Sequence, residues 1–283
     1  MTDAEKFAVR LKESGGYETA PDHRPGILDR LFGWSDSWYY LRLIGIVSSG
    51  NLKIRFGKFG DVGWNSRALW TLRAIEGCGG RVHVMDVHHM MQLKGPAVYV
   101  ANHMSLIETM LLPGLFILPY HTVTPVVKKS LTTYPVFGLI MRDIGCIAVG
   151  RKNPREDLKR VLEEGVAMLK TGRSVMLFPQ STRMLEFDPS RFNSLGVKLA
   201  RKAGVPVVPV ALRTDFQGVG RRLRDFGPVD RSRPLYFKFG APMAVEGSGR
   251  ETHQKVADFI SASLREWGVK VLDAAPAAGD SDL

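Results

Sequence analysis

From residue 81 onward, short β-rich runs alternate with longer stretches of helical period. Val82–Val87 and Ala97–Ala101 read as strands, Leu106–Phe116 as a helix, and Thr122–Val127 as a further strand. Leu158, Val161, Leu162, Val166 and Leu169 recur at helical spacing and predict a helix over Pro154–Thr171, which Gly172 ends. A buried strand at Ser174–Phe178, a helix at Ser194–Ala203, a strand at Val205–Leu212 and a last helix at Arg250–Trp267 complete the series. This alternation predicts an α/β fold, a mostly parallel sheet flanked by helices. Residues 61–272 are assigned to that domain, and the Ala/Gly/Asp-rich tail, 273–283, is expected to be disordered.

The N-terminal part has a different pattern. Residues 1–25 are polar and begin with Thr2, Asp3, Ala4 and Glu5, without the basic start and apolar core of a secretion signal, so export is not expected. Residues 26–60 are amphipathic. Ile27–Val47 is rich in Leu, Phe, Trp and Tyr, but Asp29, Arg30, Asp36 and Arg42 interrupt it, leaving no clean apolar span of about 20 residues. The segment reads as helical and membrane-interfacial. Trp34, Trp38, Tyr39 and Tyr40 would sit at headgroup level, with Arg42, Lys53, Arg55 and Lys58 available to anionic lipid. The competing reading is a helix packed on the core with its aromatics buried.

Composition narrows the function classes. With 283 residues and 45% hydrophobic content the chain can bury a sizeable core. Lys and Arg number 39 against 28 Asp and Glu, a net charge of +11, which suits nucleic acid, an anionic membrane surface or a phosphorylated substrate. The basic residues are scattered, and no nucleic-acid recognition motif is present, so a nucleic-acid partner is not expected. Cys78 and Cys146 are the two cysteines and form no CxxC pair, which argues against a disulfide scaffold or a cysteine zinc site and for a reducing cytoplasmic face.

The densest chemistry lies at Asn102-His103-Met104-Ser105-Leu106-Ile107-Glu108, directly after the Ala97–Ala101 strand. A histidine can take a proton from an alcohol, and a carboxylate on its other ring nitrogen fixes the tautomer and stabilises the imidazolium. In a continuous helix, five positions would put the two groups about 140° apart. The helix must therefore start later, and Ser105 with Glu108 has the form of a capping box that starts it. That box supports two readings: Glu108 orients His103, or Glu108 merely bonds the N-cap amide beside an ordinary loop histidine.

Three further blocks accompany it. Lys128-Lys129-Ser130-Leu131 leads through Tyr134-Pro135 and Gly138 to a strand from Gly145 to Gly150 that ends on Arg151. Phe178-Pro179-Gln180-Ser181-Thr182-Arg183 closes a strand with an amide, two hydroxyls and a guanidinium, and Val205-Pro206-Val207-Val208-Pro209-Val210 is a stiff apolar strand. Alone, each block reads as surface, turn or core.

In sequence and in chain order, the four blocks resemble the motifs of the glycerolipid acyltransferase family, which includes the 1-acylglycerol-3-phosphate acyltransferases. The resemblance spans about Arg81–Leu212 and aligns Asn102–Glu108 with NHxSxxD, Lys128–Arg151 with the KxxLxxxPxxG and GxIxxxR blocks, Phe178–Arg183 with FPEGTR, and Val205–Val210 with VPxxPV. It implies transfer of a fatty acyl group from acyl-CoA or acyl-carrier protein to the free hydroxyl of 1-acylglycerol 3-phosphate, at a membrane surface and without a covalent acyl-enzyme. His103 would be the general base and Glu108 its orienter. Asn102, Arg151, Gln180, Ser181, Thr182 and Arg183 would bind substrate, the two arginines holding the acceptor's phosphate. No metal or cofactor is implied, only the acyl donor as co-substrate. The alternatives are another lysolipid or glycerol 3-phosphate as acceptor, or a degenerate lipid-binding protein.

The chain departs from the family pattern twice. Glu108 replaces aspartate and carries the carboxylate one methylene further, while Gln180-Ser181 replaces Glu-Gly and removes a negative charge beside the acceptor site. The surplus charge near Arg191, Lys198, Arg201, Lys202, Arg221, Arg222 and Arg224 would suit anionic lipid or a CoA phosphate. Other readings are weaker. His83, Asp86, His88 and His89 lack a further ligand set, Cys146 lies in an apolar strand where a thiol is inert, and Ser105 and Ser181 lie outside any GxSxG elbow.

Overall fold

The computed structural model describes residues 2–57, 59–116, 122–135, 137–180 and 182–272. The expectations for Lys58, Ser181 and the tail at 273–283 fall outside them. Along the chain the elements are α1 (Asp3–Ser14), β1 (Tyr17–Glu18), α2 (Ile27–Phe32), α3 (Asp36–Arg55), α4 (Gly60–Gly77), β2 (Val82–Met85), α5 (His88–Met91), β3 (Val98–Ala101), α6 (Ile107–Leu115) and β4 (Val123–Lys128). They continue as α7 (Phe137–Asp143), β5 (Ile147–Val149), α8 (Pro154–Lys170), β6 (Ser174–Leu177), α9 (Leu195–Ala203), β7 (Val207–Arg213), β8 (Leu235–Phe239) and α10 (Arg250–Glu266).

The eight strands form one sheet in the order β1-β2-β8-β7-β3-β6-β4-β5. β7, β3, β6, β4 and β5 run parallel, β2 pairs parallel with β8, and the antiparallel pairs are β1 with β2 and β7 with β8. Each parallel crossover lays a helix on the sheet, so the inner strands are covered on both faces and their residues are apolar without alternation. β3, β6 and most of β7 are buried at every position. Side chains alternate between the faces: Tyr99 and Ala101 join the core beneath α1, α3, α4 and α6, whereas Val98 and Val100 join the core beneath α8, α9 and α10. The parallel α/β fold predicted from the alternation is therefore the observed one.

The expected segment boundaries at residues 25 and 60 do not divide the core. Ala4, Phe7, Ala8 and Leu11 of α1 are buried, and Phe7 and Leu11 pack in the same cluster as Leu43 of α3 and Leu72 of α4. β1 extends the sheet, with Tyr17 and Thr19 both donating hydrogen bonds to Glu76 of α4. The aromatic segment also differs from the expectation. Tyr39 is fully buried against Phe216, Trp38 donates to Asp29 Oδ1 at 2.8 Å, and Tyr40 donates to the Gly227 carbonyl at 2.5 Å. Three successive helical positions point about 100° apart, so one apolar face cannot hold them all. Arg42 is paired with Asp29 at 2.6 Å rather than free for lipid. Trp34 is the one of the four aromatics that is exposed, together with Ile27, Leu28, Leu31 and Phe32 around α2, and Leu41, Ile44, Leu52 and Phe56 along α3.

The centre of the sheet is locked by a side chain rather than by the ladder alone. Asn102, just past β3, donates from Nδ2 to the Leu212 carbonyl at 2.7 Å and accepts the Leu212 N–H at 2.8 Å. A side-chain amide has the donor and acceptor of a peptide group, so it continues the pairing of β3 with β7 where the backbone turns away. Asn102 is 1% exposed, and its expected substrate-binding role gives way to this structural one. Asn102→Ala is expected to leave two buried backbone groups unpaired, at about 1–3 kcal/mol each. Urea unfolding should show the loss as a lower midpoint.

Candidate active site

The C-terminal ends of the parallel strands converge on one side of the sheet, the usual location of sites in open α/β sheets. β3 delivers Asn102 and His103, β4 ends in Lys128, β5 leads to Arg151, β6 to the turn from Phe178 to Arg183, and β7 to Thr214. The four sequence blocks thus meet in space, although their residues take unequal parts.

His103 Nδ1 is hydrogen-bonded to Glu108 Oε2. α6 begins at Ile107, two residues after the expected N-cap, which leaves His103 in the loop and within reach of the carboxylate. The two readings of the capping box prove compatible, because the two carboxylate oxygens divide the work. Oε1 accepts the N–H groups of Met104 and Ser105 at 2.8 and 3.0 Å and the hydroxyl of Thr214, while Oε2 takes the imidazole. Glu108 is fully buried, so these four donors replace its water. An ionised carboxylate at Nδ1 fixes the proton there and leaves Nε2 with its lone pair. Phe178 stacks on the imidazole at 4.3 Å between ring centroids and holds its plane.

The β6 turn grips the backbone of the same histidine. Gln180 Oε1 accepts the His103 N–H at 3.0 Å, and the Met184 N–H donates to the His103 carbonyl at 2.9 Å. Gln180 is 5% exposed and is absent from the cavity wall, so its expected contact with the acceptor gives way to holding the loop that carries His103. Thr182 is exposed and lies outside the wall as well.

A cavity of about 250 Å³ opens beside His103 and Glu108. Its walls are apolar, from Leu43, Ile44 and Val47 of α3, Trp64 of α4, Met110 and Leu112 of α6, and Val123 and Val127 of β4. Lys128, Arg151 and Arg183 line it too, and so do Asp225 and Phe226 from the loop after β7. Arg183 is ion-paired with Asp225. Arg151 sits in the left-handed region at φ +60°, where a non-glycine residue is strained. Asp157 of α8 holds that turn by accepting the N–H groups of Gly150 and Arg151 at 2.8 and 2.7 Å. Partial desolvation lowers the pKa of Arg151 from the ordinary arginine value, with nearby Asp157 opposing it.

Sequence reasoning missed Thr214, Asp157 and Asp225. For Thr214 the available signal was the polar triplet Arg213-Thr214-Asp215 closing an apolar strand. The remaining candidates lie elsewhere. Lys198, Arg201 and Lys202 are on α9, across the sheet from the cavity, and Arg191 is paired with Asp188 at 3.4 Å. His83 stacks on Tyr236, and His89 Nδ1 bonds the Phe239 carbonyl at 2.8 Å. Burial pushes the Cys146 thiol above its usual pKa.

Comparisons with known proteins agree with this arrangement. Residues 81–213 match the family model described as Acyltransferase. The 1-acyl-sn-glycerol-3-phosphate acyltransferase of Pseudomonas aeruginosa is 28% identical over 207 residues, covering 72% of this chain and 76% of that protein. The enzyme of the same name from Cocos nucifera is 26% identical over 166 residues, which span 59% of this chain and 52% of that protein. In fold, the chain is similar to the crystal structure of the 1-acyl-sn-glycerophosphate (LPA) acyltransferase PlsC from Thermotoga maritima. That match has a TM-score of 0.58 at 20% identity and covers 75% of this chain and 81% of that one. The stretch that builds the central sheet and carries the His103–Glu108 pair is therefore an acyltransferase domain, the part of the chain that is similar to these O-acyltransferases.

Proposed function

We propose that the chain moves a fatty acyl group from a thioester, acyl-CoA or acyl-carrier protein, to the free hydroxyl of 1-acylglycerol 3-phosphate at the cytoplasmic face of a membrane. The observation that carries this reading is one cavity joining apolar walls to His103, Lys128, Arg151 and Arg183. Apolar walls suit an acyl chain, and the cations suit a phosphate. The names of the relatives support the same acceptor.

His103 Nε2 takes the acceptor's hydroxyl proton as its oxygen attacks the thioester carbonyl. The tetrahedral intermediate collapses by expelling the thiolate, which recovers the proton from the imidazolium. Ester and thiol are the products, and Glu108 offsets the charge on the ring in between. The thioester is already activated, so a positioned base and donors for the oxyanion meet most of the chemical demand.

The exposed apolar set around α2 and along α3 is the membrane-docking face in this reading, and it keeps Trp34 of the four aromatics first expected. Ile27 and Trp34 are each 74% exposed, and Ile44 belongs to both the exposed stripe and the cavity wall. A lipid acceptor would thus enter from the side on which the apolar face lies. Lys53 and Arg55 are exposed near the end of α3, where they suit anionic headgroups. Among the described residues no helix is long and apolar enough to cross a membrane.

The first test is acyl transfer by purified protein in detergent micelles, with acyl-CoA or acyl-carrier protein offered against 1-acylglycerol 3-phosphate, glycerol 3-phosphate and a phosphate-free lysolipid. Transfer to 1-acylglycerol 3-phosphate is expected, falling about 10²–10⁴-fold in His103→Ala. A preference for the phosphate-free acceptor would overturn the assignment. Arg151→Ala is expected to raise the acceptor KM about tenfold or more with little change in kcat. Arg183→Ala should raise it less, because Asp225 already neutralises that guanidinium. For the docking face, the double variant Ile27→Asp/Leu31→Asp should lose flotation with phosphatidylglycerol vesicles while retaining transfer in micelles.

A further inference from the structure

The hydroxyls of Ser105 and Thr214 form a directed chain that ends on Glu108. Ser105 Oγ accepts the Ile107 N–H at 3.2 Å in the first turn of α6, which leaves its own proton for Thr214 Oγ1, 2.9 Å away. A threonine hydroxyl has one proton, so once Thr214 accepts from Ser105 it donates to Glu108 Oε1. All three residues are buried.

We propose that Thr214 is a positioning residue for the His103–Glu108 dyad, an inference that rests on His103 acting as base. A glutamate has one more rotatable bond than an aspartate, so its carboxylate has more ways to turn away from the imidazole. Donors on Oε1 remove that freedom and leave Oε2 facing Nδ1. Two of them, the N–H groups of Met104 and Ser105, belong to the loop that carries His103 and move with it. The third, Thr214, comes from the end of β7, 106 positions away, and ties the carboxylate to the sheet. Thr214 is absent from the cavity wall, so it acts through Glu108 and not on substrate.

The test compares Thr214→Val, which keeps the shape and removes the hydroxyl, with Thr214→Ser, which keeps the hydroxyl. Both are assayed with acyl-CoA and 1-acylglycerol 3-phosphate in micelles. Thr214→Val is expected to lower kcat about tenfold, the value of one hydrogen bond to a charged group, with both KM values within about twofold of wild type. Thr214→Ser should recover most of the rate. Ser105→Ala should lower kcat by a smaller factor, and adding it to Thr214→Val should cost little more, because both act through one chain. Wild-type kcat in Thr214→Val, or a Thr214→Ser variant as slow as Thr214→Val, would overturn the proposal. Where Thr214→Val fails to fold, Ser105→Ala decides, and an unchanged kcat there overturns it. Absence of transfer by the wild-type protein would instead overturn the proposed function, which keeps the two failures distinct.

Discussion

A buried carboxylate governs the centre of this molecule. Removing an ion from water costs several kcal/mol unless donors replace the lost solvation. Glu108, with no exposed surface, has four of them: the His103 imidazole, the Met104 and Ser105 N–H groups and the Thr214 hydroxyl. These come from the loop after β3 and from the end of β7, so the two strands must finish at matched heights. The Asn102–Leu212 bridge enforces that match, and the turn after β6 fixes the His103 backbone from the other side through Gln180 and Met184. The three central strands of the sheet, β7, β3 and β6, are the three that build the dyad's surroundings.

How much of this could be read from the chain depended on whether a signal was local. α8 and α10 fall within a residue of their expected ends, because an amphipathic helix repeats its face several times. β3 and β6 were legible as short apolar runs, since parallel strands covered on both faces have no polar side to hide. α1 was missed because its segment is polar on average, although Ala4, Phe7, Ala8 and Leu11 form a helical stripe within it. β8 has the alternation of a half-buried strand over Leu235–Phe239, but only the slot between β2 and β7 shows what it pairs with. The aromatic segment was overcounted for a geometric reason: the three successive helical positions Trp38, Tyr39 and Tyr40 cannot share one apolar face, so of the four aromatics Trp34 is the one left exposed.

The site shows the same division. Order and spacing brought out His103 and Glu108, whose partnership spans one loop. Asn102 and Gln180 were expected as substrate groups because they sit in the blocks that resemble the family motifs, and amides are versatile hydrogen-bonders. That versatility is what suits them to span backbone gaps, and no local pattern distinguishes the two uses. Thr214 and Asp157 act on residues already singled out, yet their importance appears only once a distant strand end or a neighbouring helix is in position.

The two arginines carried over from the motifs also differ in a way that sequence equated. Asp157 spends both of its oxygens on backbone N–H groups, holding Arg151 in a strained conformation beside the cavity, and no ion pair of Arg151 occurs among the described residues. Asp225 instead meets the Arg183 guanidinium itself. A neighbouring carboxylate can therefore aim a cation or cancel it, according to whether it bonds the main chain or the side chain. For a phosphate entering the cavity, Arg151 is the partner that loses nothing by accepting it, whereas Arg183 must first share or surrender Asp225. In the proposed reaction the phosphate's position, and with it the approach of the hydroxyl to His103, would accordingly be set more by the β5 end than by the β6 turn.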